Sequence, residues 1–287
     1  MMTKVGIAFL GLCALATVGF FIARSNGELS ESQQSRLEQD WDELLTWAGN
    51  TNPGTSQGPN LEQCAQAWSA ARKANKEATP ELARWRALLA SGEYSLGEGP
   101  YAGVETMQLG RMELEAEGLD SVGLGRILTL ARRLNHEGPL SNFMVGVALA
   151  NQALELCRSN PDLIPTDLDL TAPQPGEFFS AVCRDFSMMA ATLIPSEENI
   201  GDPLHSHIHD AYLAIANRYL PLRDQPDRFG EVDPPERPGW LFNLRAMLLP
   251  RPDDMRRVLE PLFAIDMESY GNAWARLVSD WNAVLES

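Results

Sequence analysis

The chain has 287 residues, of which 44% are hydrophobic and 22% charged, and these values are typical of a folded protein. Its 39 acidic residues outnumber its 23 basic ones, so the net charge is −16 at pH 7. A surface this acidic repels nucleic acid and anionic lipid head groups, so we expect no nucleic-acid partner. A need for solubility explains the acidity, and a basic partner or cationic ligand is the alternative.

An uncharged apolar stretch occupies residues 5–23, with Lys4 before it and Arg24 after it. A helix of these residues is about 28 Å long, which is close to the hydrocarbon thickness of a bilayer. We therefore predict that residues 1–24 form a single transmembrane signal anchor, which contacts the lipid bilayer through residues 5–23.

Two other interpretations of this N-terminal segment are weighed against the anchor. Ala14-Leu15-Ala16 resembles the small-residue cleavage site of a signal peptide, but cleavage there leaves an exposed apolar start over residues 17–22. Cys13 could be the lipidated cysteine of a lipoprotein, but a lipoprotein signal has a small residue at the position that Leu12 occupies. The uncleaved anchor is therefore favoured.

The orientation of the anchor follows from the charges beside it. Lys4 and the free amino terminus favour a cytoplasmic N-terminus, whereas Arg24 and Arg36 favour the reverse. Because short N-terminal tails usually stay inside, we expect a single-pass protein of the inner (cytoplasmic) membrane with its soluble part in the periplasm. The longest later apolar run, residues 143–150, is typical of a buried helix face.

The juxtamembrane part, residues 25–59, is predicted to be a helix followed by a loop. Ser30 and Gln33 have the spacing of a capping box, and the apolar residues that follow recur at helical spacing. Gly49 ends this helix, and residues 51–59 are rich in turn-forming residues.

Residues 60–287 are predicted to form an all-helical soluble domain that begins with two helices. Asn60 has the character of an N-cap for the first of them. For the second helix, Thr79 is the expected N-cap and Pro80 the first helical residue. Proline suits this position because the backbone N–H that it lacks would have no partner within the helix. Gly92 is expected to end this second helix.

Three further helices are expected over residues 104–117, 120–136 and 140–159, and the first two should form a helical hairpin. In the third helix, Gly146 and Ala150 are small residues one turn apart. Such a pair allows a neighbouring helix to approach closely.

Prolines interrupt the second half of the chain in two places. Four of them lie in residues 160–175, where the domain would subdivide. Helices are expected over residues 176–194 and 203–220, and two or three more over residues 240–285. Between these, residues 221–239 form an irregular segment with five prolines, interpreted as a partner-docking strap, a lid over a groove or a plain linker.

The fold class follows from this pattern. Alternating β-branched strands are nearly absent, so we predict an all-α fold: a single N-terminal transmembrane helix, then a soluble domain of helical hairpins. The hairpins form a solenoid-like stack or an irregular bundle. They resemble tetratricopeptide-type solenoids in architecture only. Residues 109–112 recur at 124–127, but this offset of 15 is one helix and a turn, whereas such a repeat has two helices.

The sharpest candidate site is the run from His205 to Asp210, which contains three of the four histidines. His205 and His209 lie one turn apart if a helix begins at Pro203, and this spacing can place two imidazoles on one zinc ion. His207 is expected to point elsewhere, so a third ligand would come from a distant helix. The alternatives are surface histidines on a polar first turn and a pH-sensitive patch.

No redox or nucleotide-binding motif accompanies the histidines. The chain has no Cys-x-x-Cys and no phosphate-binding glycine loop, and Gly123-x-Gly125 alone does not indicate a nucleotide site. Cys64, Cys157 and Cys183 are expected to form either one disulfide and one free thiol or three buried, inert thiols.

The seven tryptophans either pack in the core or line a groove for a sugar or lipid. Trp41, Trp68 and Trp85 lie on apolar stripes of predicted helices, and Trp274 and Trp281 are seven residues apart, which suits one buried face. Packing in the core is therefore favoured for these residues.

These features predict a membrane-anchored helical protein of the bacterial cell envelope that serves as a protein-interaction or scaffold component. One alternative is a metal-binding protein or metal-dependent enzyme that uses His205 and His209, with zinc as the metal. Another is a helical domain that binds a small ligand. No catalytic residue and no other cofactor is assigned, and enzymatic activity is the less favoured expectation.

Overall fold

The computed structural model describes residues 31–49, 59–74, 76–96, 104–137, 140–165, 173–193, 203–248 and 252–285. The predicted anchor at residues 5–23 lies outside this part of the chain. None of the helices within the described ranges is long and apolar enough to cross a membrane.

The described residues form α-helices and short 3₁₀ helices, and the only β pairing among them is a single bridge between Asn60 and Ser95. The prediction of an all-α fold is therefore confirmed. The α-helices are α1 (Glu31–Ala48), α2 (Leu61–Lys73), α3 (Thr79–Ser91), α4 (Val104–Leu114), α5 (Ser121–Glu137), α6 (Leu140–Ser159), α7 (Glu177–Leu193), α8 (Pro203–Tyr219), α9 (Trp240–Leu248), α10 (Pro252–Phe263) and α11 (Met267–Leu285). The 3₁₀ helices are Pro161–Leu163, Leu220–Leu222 and Pro226–Glu231.

Local signals in the sequence explain where several helices begin and end. The Asn60 side chain accepts a hydrogen bond from the Gln63 amide at 3.0 Å, as its position before α2 predicts. Gly92 ends α3 with φ of +69°, a left-handed conformation in which glycine has no steric penalty. The expected cap of α3 was wrong by one residue, because Ala78 is the N-cap and Thr79 is already helical.

The contacts divide the chain into two compact units, and neither unit is continuous in sequence. The smaller unit comprises residues 1–44, 189–221 and 232–265, and the larger unit comprises residues 45–188, 222–231 and 266–287.

The larger unit is built around α6, which packs against α4, α5 and α11. The closest approach is to α5 at Gly146, where a Cβ atom would lie 2.6 Å from the Ala131 carbonyl oxygen. Here the sequence prediction that the small residues of α6 admit a close neighbour is confirmed. Because α11 comes from the end of the chain, the packing of this unit is not limited to sequence neighbours, as it would be in a simple solenoid.

Aromatic rings fill the core of the larger unit. The Phe143 ring lies 4.6 Å from the Trp274 ring and 5.7 Å from the Phe178 ring, measured between centroids. The Phe178 ring in turn contacts Phe229, and all four side chains are buried. The predicted packing of Trp274 in the core is confirmed, as it is for Trp68, Trp85 and Trp281.

Part of the proline-rich segment belongs to this core. Residues 226–231 form a 3₁₀ helix that packs along α11, with Pro226 and Phe229 buried. Gly271 on α11 allows the approach, because a Cβ atom there would collide with the Pro226 carbonyl oxygen. The expectation of a plain linker is therefore wrong for these six residues, whose long-range packing leaves no periodic signal in the sequence.

The cysteines within the described ranges are free, and Cys64, Cys157 and Cys183 are all buried. Of the two arrangements expected from the sequence, the structure has the three buried thiols. Burial raises the pKa of the Cys183 thiol to about 12 and raises the pKa values of Cys64 and Cys157 in the same direction. The thiolate, which is the reactive form, is therefore suppressed at all three positions.

We expect these thiols to react very slowly with Ellman's reagent at pH 8 in the native chain and fully after unfolding in urea. A pKa of about 12 makes the Cys183 thiolate roughly a thousandfold rarer than at the ordinary value of 9.0. The stability that this neutral thiol contributes is present below about pH 9 and is lost as the pH rises toward 12. A Cys13→Ser background removes the remaining thiol, and fast native labelling of all three cysteines would contradict this assignment.

Candidate functional site

The predicted metal ligands His205 and His209 both lie on α8, one turn apart, as the sequence indicated. The side chain of His205 is outside the described part. The His209 ring stacks on the Trp41 ring in the smaller unit, with 3.8 Å between centroids and 5° between planes. His207 is buried, so the alternative of surface histidines is wrong for this residue.

Within the described structure, no metal site surrounds the histidine run. Among the side chains described, no three His, Cys, Asp or Glu residues come together as metal ligands would. The zinc hypothesis for His205 and His209 therefore stays a prediction from their spacing. What the structure adds is a packing role for His209, since its ring face covers the indole of Trp41.

The smaller unit is held by contacts between α8 and α10. The Tyr212 and Phe263 rings stack at 4.6 Å, and Glu260 forms ion pairs with Arg218 at 2.6 Å and Arg256 at 3.4 Å. Glu260 is buried, so its charge needs these partners. This network fixes α10 on α8 and so provides a rigid support for the residues that α10 carries.

The same unit exposes a group of large apolar side chains on α9 and α10. Trp240 is 72% exposed, Leu241 63% and Leu262 61%. We call these three residues the α9–α10 surface. An exposed leucine alone is ordinary, but an exposed tryptophan next to an exposed leucine is typical of an interaction site.

Helix geometry explains why Trp240 faces outward. The inner face of the α9–α10 pair is a small buried cluster of Ala246, Met255 and Val258, against which Phe242 packs. Trp240 is two positions before Phe242, so it points about 200° away from the packed face. Leu262 is four positions after Val258, so it continues the packed stripe of α10 beyond the end of the buried cluster, where it is exposed.

The chain that leads into α9 is stiff. Pro234, Pro235 and Pro238 restrict the backbone of residues 232–239, and proline-rich segments favour extended conformations. A tryptophan at the end of such a segment loses less conformational entropy on binding than one on a flexible loop.

Sequence reasoning missed the α9–α10 surface, although a signal for it was present. The stretch from Trp240 to Leu248 is apolar at seven of nine positions, so it has no polar face to turn to water. A helix that is apolar on all sides is either enclosed by its own protein or in contact with something else. The prediction of two or three helices in the tail does not say which faces those helices could cover.

The most perturbed charged group of the larger unit has a structural role. Arg184 on α7 donates to the carbonyl oxygens of Ala48 and Asn135, both at 3.1 Å, near the ends of α1 and α5. Burial lowers the pKa of Arg184 to about 10, and burial also raises the pKa of the neighbouring Asp185 carboxyl. Arg184 is thus a buried cap of two helix ends, to each of which it donates a hydrogen bond.

The chain matches no protein-family model, no curated protein and no solved structure. Its function is therefore inferred from the arrangement of its own residues.

Proposed function

We propose that this chain is a membrane-anchored helical protein of the bacterial cell envelope that binds a protein partner through the α9–α10 surface. The observation that supports binding is the 72% exposure of Trp240, which is next to the exposed Leu241 and in the same unit as the exposed Leu262. Tryptophan is enriched among the few residues that supply most of the energy of protein interfaces. Burial of all three side chains would lower the free energy of the complex by several kcal/mol, roughly 2 kcal/mol for each.

The apolar stretch over residues 5–23 supports the membrane part of this proposal. It is long enough to cross a bilayer as a helix and contains no charged residue. With the N-terminus in the cytoplasm, the helical units lie on the periplasmic side of the inner membrane. The anchor then restricts the search for a partner to two dimensions and raises its effective concentration.

The charge of the chain supports a protein partner in preference to nucleic acid or a lipid surface. Without Lys4 and Arg24, the chain carries 21 basic and 39 acidic residues, which leaves a charge of −18. Such a field repels phosphates and anionic head groups. A complementary partner offers an apolar groove for the indole and basic side chains around it.

Site-specific photocrosslinking in intact cells tests this proposal. We place p-benzoylphenylalanine at Leu241 in the full-length chain, so that Trp240 is retained, and identify crosslinked proteins by mass spectrometry. We expect one predominant adduct, recovered with inner-membrane vesicles and resistant to carbonate extraction. In a Trp240→Ala background its yield should fall at least about tenfold, because interface tryptophans of this kind contribute about 2 kcal/mol or more.

The matched control is the same photoreactive residue at Val104, which is also exposed but lies in the larger unit. No adduct of that mass is expected from position 104. The interaction is refuted if positions 104 and 241 give the same set of adducts, or if Trp240→Ala leaves the yield unchanged. An adduct that is lost on carbonate extraction would refute the anchor while leaving the interaction in place.

A further inference from the structure

A second surface feature lies in the larger unit, away from the residues used above. A cleft of about 290 Å³ opens between the end of α3 and the N-terminal half of α5. We call it the Arg126 cleft. Its volume is near the lower end of the range for small-molecule sites, so any ligand enclosed there is compact.

One stripe of α5 forms a wall of this cleft. Ser121, Gly125 and Thr129 follow one another at intervals of four residues, which places them on one face of the helix. Gly125, in the middle of that stripe, brings the helix backbone to the wall of the cleft because it has no side chain. Leu89, Val122 and Pro165 supply apolar surface around it.

Two arginines also line the cleft, and one of them has its charge already balanced. The Arg133 guanidinium binds Glu137 through two hydrogen bonds of 3.0 and 3.1 Å. It also donates to the Tyr94 carbonyl oxygen at 3.1 Å and lies 4.3 Å from the centre of the Tyr94 ring. Arg133 therefore fixes the end of α3 against α5 and adds no net charge to the cleft.

Arg126 differs from Arg133, because no acidic residue in the described parts of the chain forms an ion pair with it. Its side chain is exposed, and among the described residues that line the cleft only the two arginines are charged. As far as the described residues go, this cleft thus has one positive charge without an acidic partner, beside an apolar wall, in a chain of net charge −16.

We propose that the Arg126 cleft binds a small organic carboxylate with a compact apolar group. The carboxylate pairs with the Arg126 guanidinium, and the apolar group lies against Leu89, Val122 and Pro165. Phosphates and other multiply charged anions are disfavoured, because a single free guanidinium does not offset their repulsion by the acidic chain. The Ser121 hydroxyl on the same stripe would donate to the second carboxylate oxygen, whereas the Thr129 hydroxyl already donates to the Gly125 carbonyl oxygen at 2.9 Å.

Three probes of equal size test this site: 3-phenylpropanoate, 3-phenylpropan-1-ol and 3-phenylpropylammonium. Each is titrated into the full chain in dodecyl maltoside, and binding is followed by saturation-transfer NMR of the probe. We expect the carboxylate to bind with a dissociation constant on the order of 1 mM, ordinary for so small a ligand. The alcohol should bind about tenfold more weakly and the ammonium more weakly still, since charge-assisted bonds are the stronger ones.

Variants of Arg126 give the decisive comparison. Arg126→Gln should remove the preference for the carboxylate, and Arg126→Glu should reverse it in favour of the ammonium. Arg111→Gln is the matched control, because Arg111 is also exposed on a helix of this unit but does not line the cleft, and it should leave the order of affinities unchanged. Equal binding of the three probes to the unmodified chain, or an equal loss of carboxylate binding in Arg111→Gln, would overturn the proposal.

Discussion

Replacing Trp274 by alanine is expected to lower the free energy of unfolding by about 3–5 kcal/mol, the range for a fully buried large aromatic side chain. The indole is completely buried and packs 4.6 Å from the Phe143 ring. Its N–H also donates to the carbonyl oxygens of Gln174 and Pro175, both at 3.1 Å, and these lose a partner when it is removed. The change therefore leaves a cavity and two carbonyl groups short of a hydrogen bond.

Urea denaturation of the purified chain, followed by far-ultraviolet circular dichroism, measures this loss. Trp240→Ala is the matched control, because it deletes the same atoms from a side chain that is 72% exposed. Its effect on stability should stay within about 0.5 kcal/mol, as is usual for surface positions. If Trp274→Ala were as mild as Trp240→Ala, the aromatic cluster would not be the core of the larger unit. The control also shows that any loss of binding in Trp240→Ala is not a loss of folding.

The sequence was sufficient for those features that nearby residues decide. The helix over 140–159 was predicted with the bounds that the structure has, because a proline precedes it and an apolar stripe continues through it. Gly92 and Asn60 were recognised as helix ends for the same reason, since capping depends on residues within one turn.

Features that depend on distant contacts could not be predicted in this way. Nothing in residues 226–231 indicates that they pack on α11, because their partner Gly271 is 40 or more positions away and carries no pattern of its own. Periodicity shows which face of a helix is apolar but not which neighbour covers that face. The interleaving of the two units follows from such contacts and was not foreseen.

The same limit explains why the candidate surfaces were missed. Tryptophan is usually buried, so Trp240 would be assigned to the core by default, and only the position of Phe242 against α10 shows that Trp240 faces outward. For Arg126, the sequence offers Glu and Asp residues at many plausible distances. Its lack of an acidic partner within the described chain appears only when the fold assigns Glu137 to Arg133.

The contact between α5 and α6 leads to a second large effect on stability. At Gly146, an added Cβ atom would lie 2.6 Å from both the Ala131 carbonyl oxygen and the Asn135 side-chain nitrogen. That nitrogen also donates to the Phe143 carbonyl oxygen at 2.8 Å, so neither neighbour can retreat without breaking a buried hydrogen bond. We expect Gly146→Ala to destabilise the chain by about 1–3 kcal/mol, as overpacking does, despite a gain in helix propensity of about 1 kcal/mol.

Gly123→Ala separates the cost of overpacking from the gain in helix propensity. Both glycines lie in helices, but they differ in what a methyl group would meet. At Gly123 the nearest atoms are the ends of the Leu119 and Asp120 side chains, at 3.1 and 3.2 Å, and the Leu119 side chain can rotate away. Urea denaturation should therefore find Gly123→Ala neutral or more stable by up to about 1 kcal/mol. If Gly146→Ala were stabilising as well, the space between α5 and α6 would accommodate a methyl group. The close packing of these two helices at Gly146 would then be disproved. If both were strongly destabilising, the methyl group at position 123 would have displaced the Asp120 side chain, whose Oδ1 caps α5 by accepting from the Gly123 N–H at 2.7 Å.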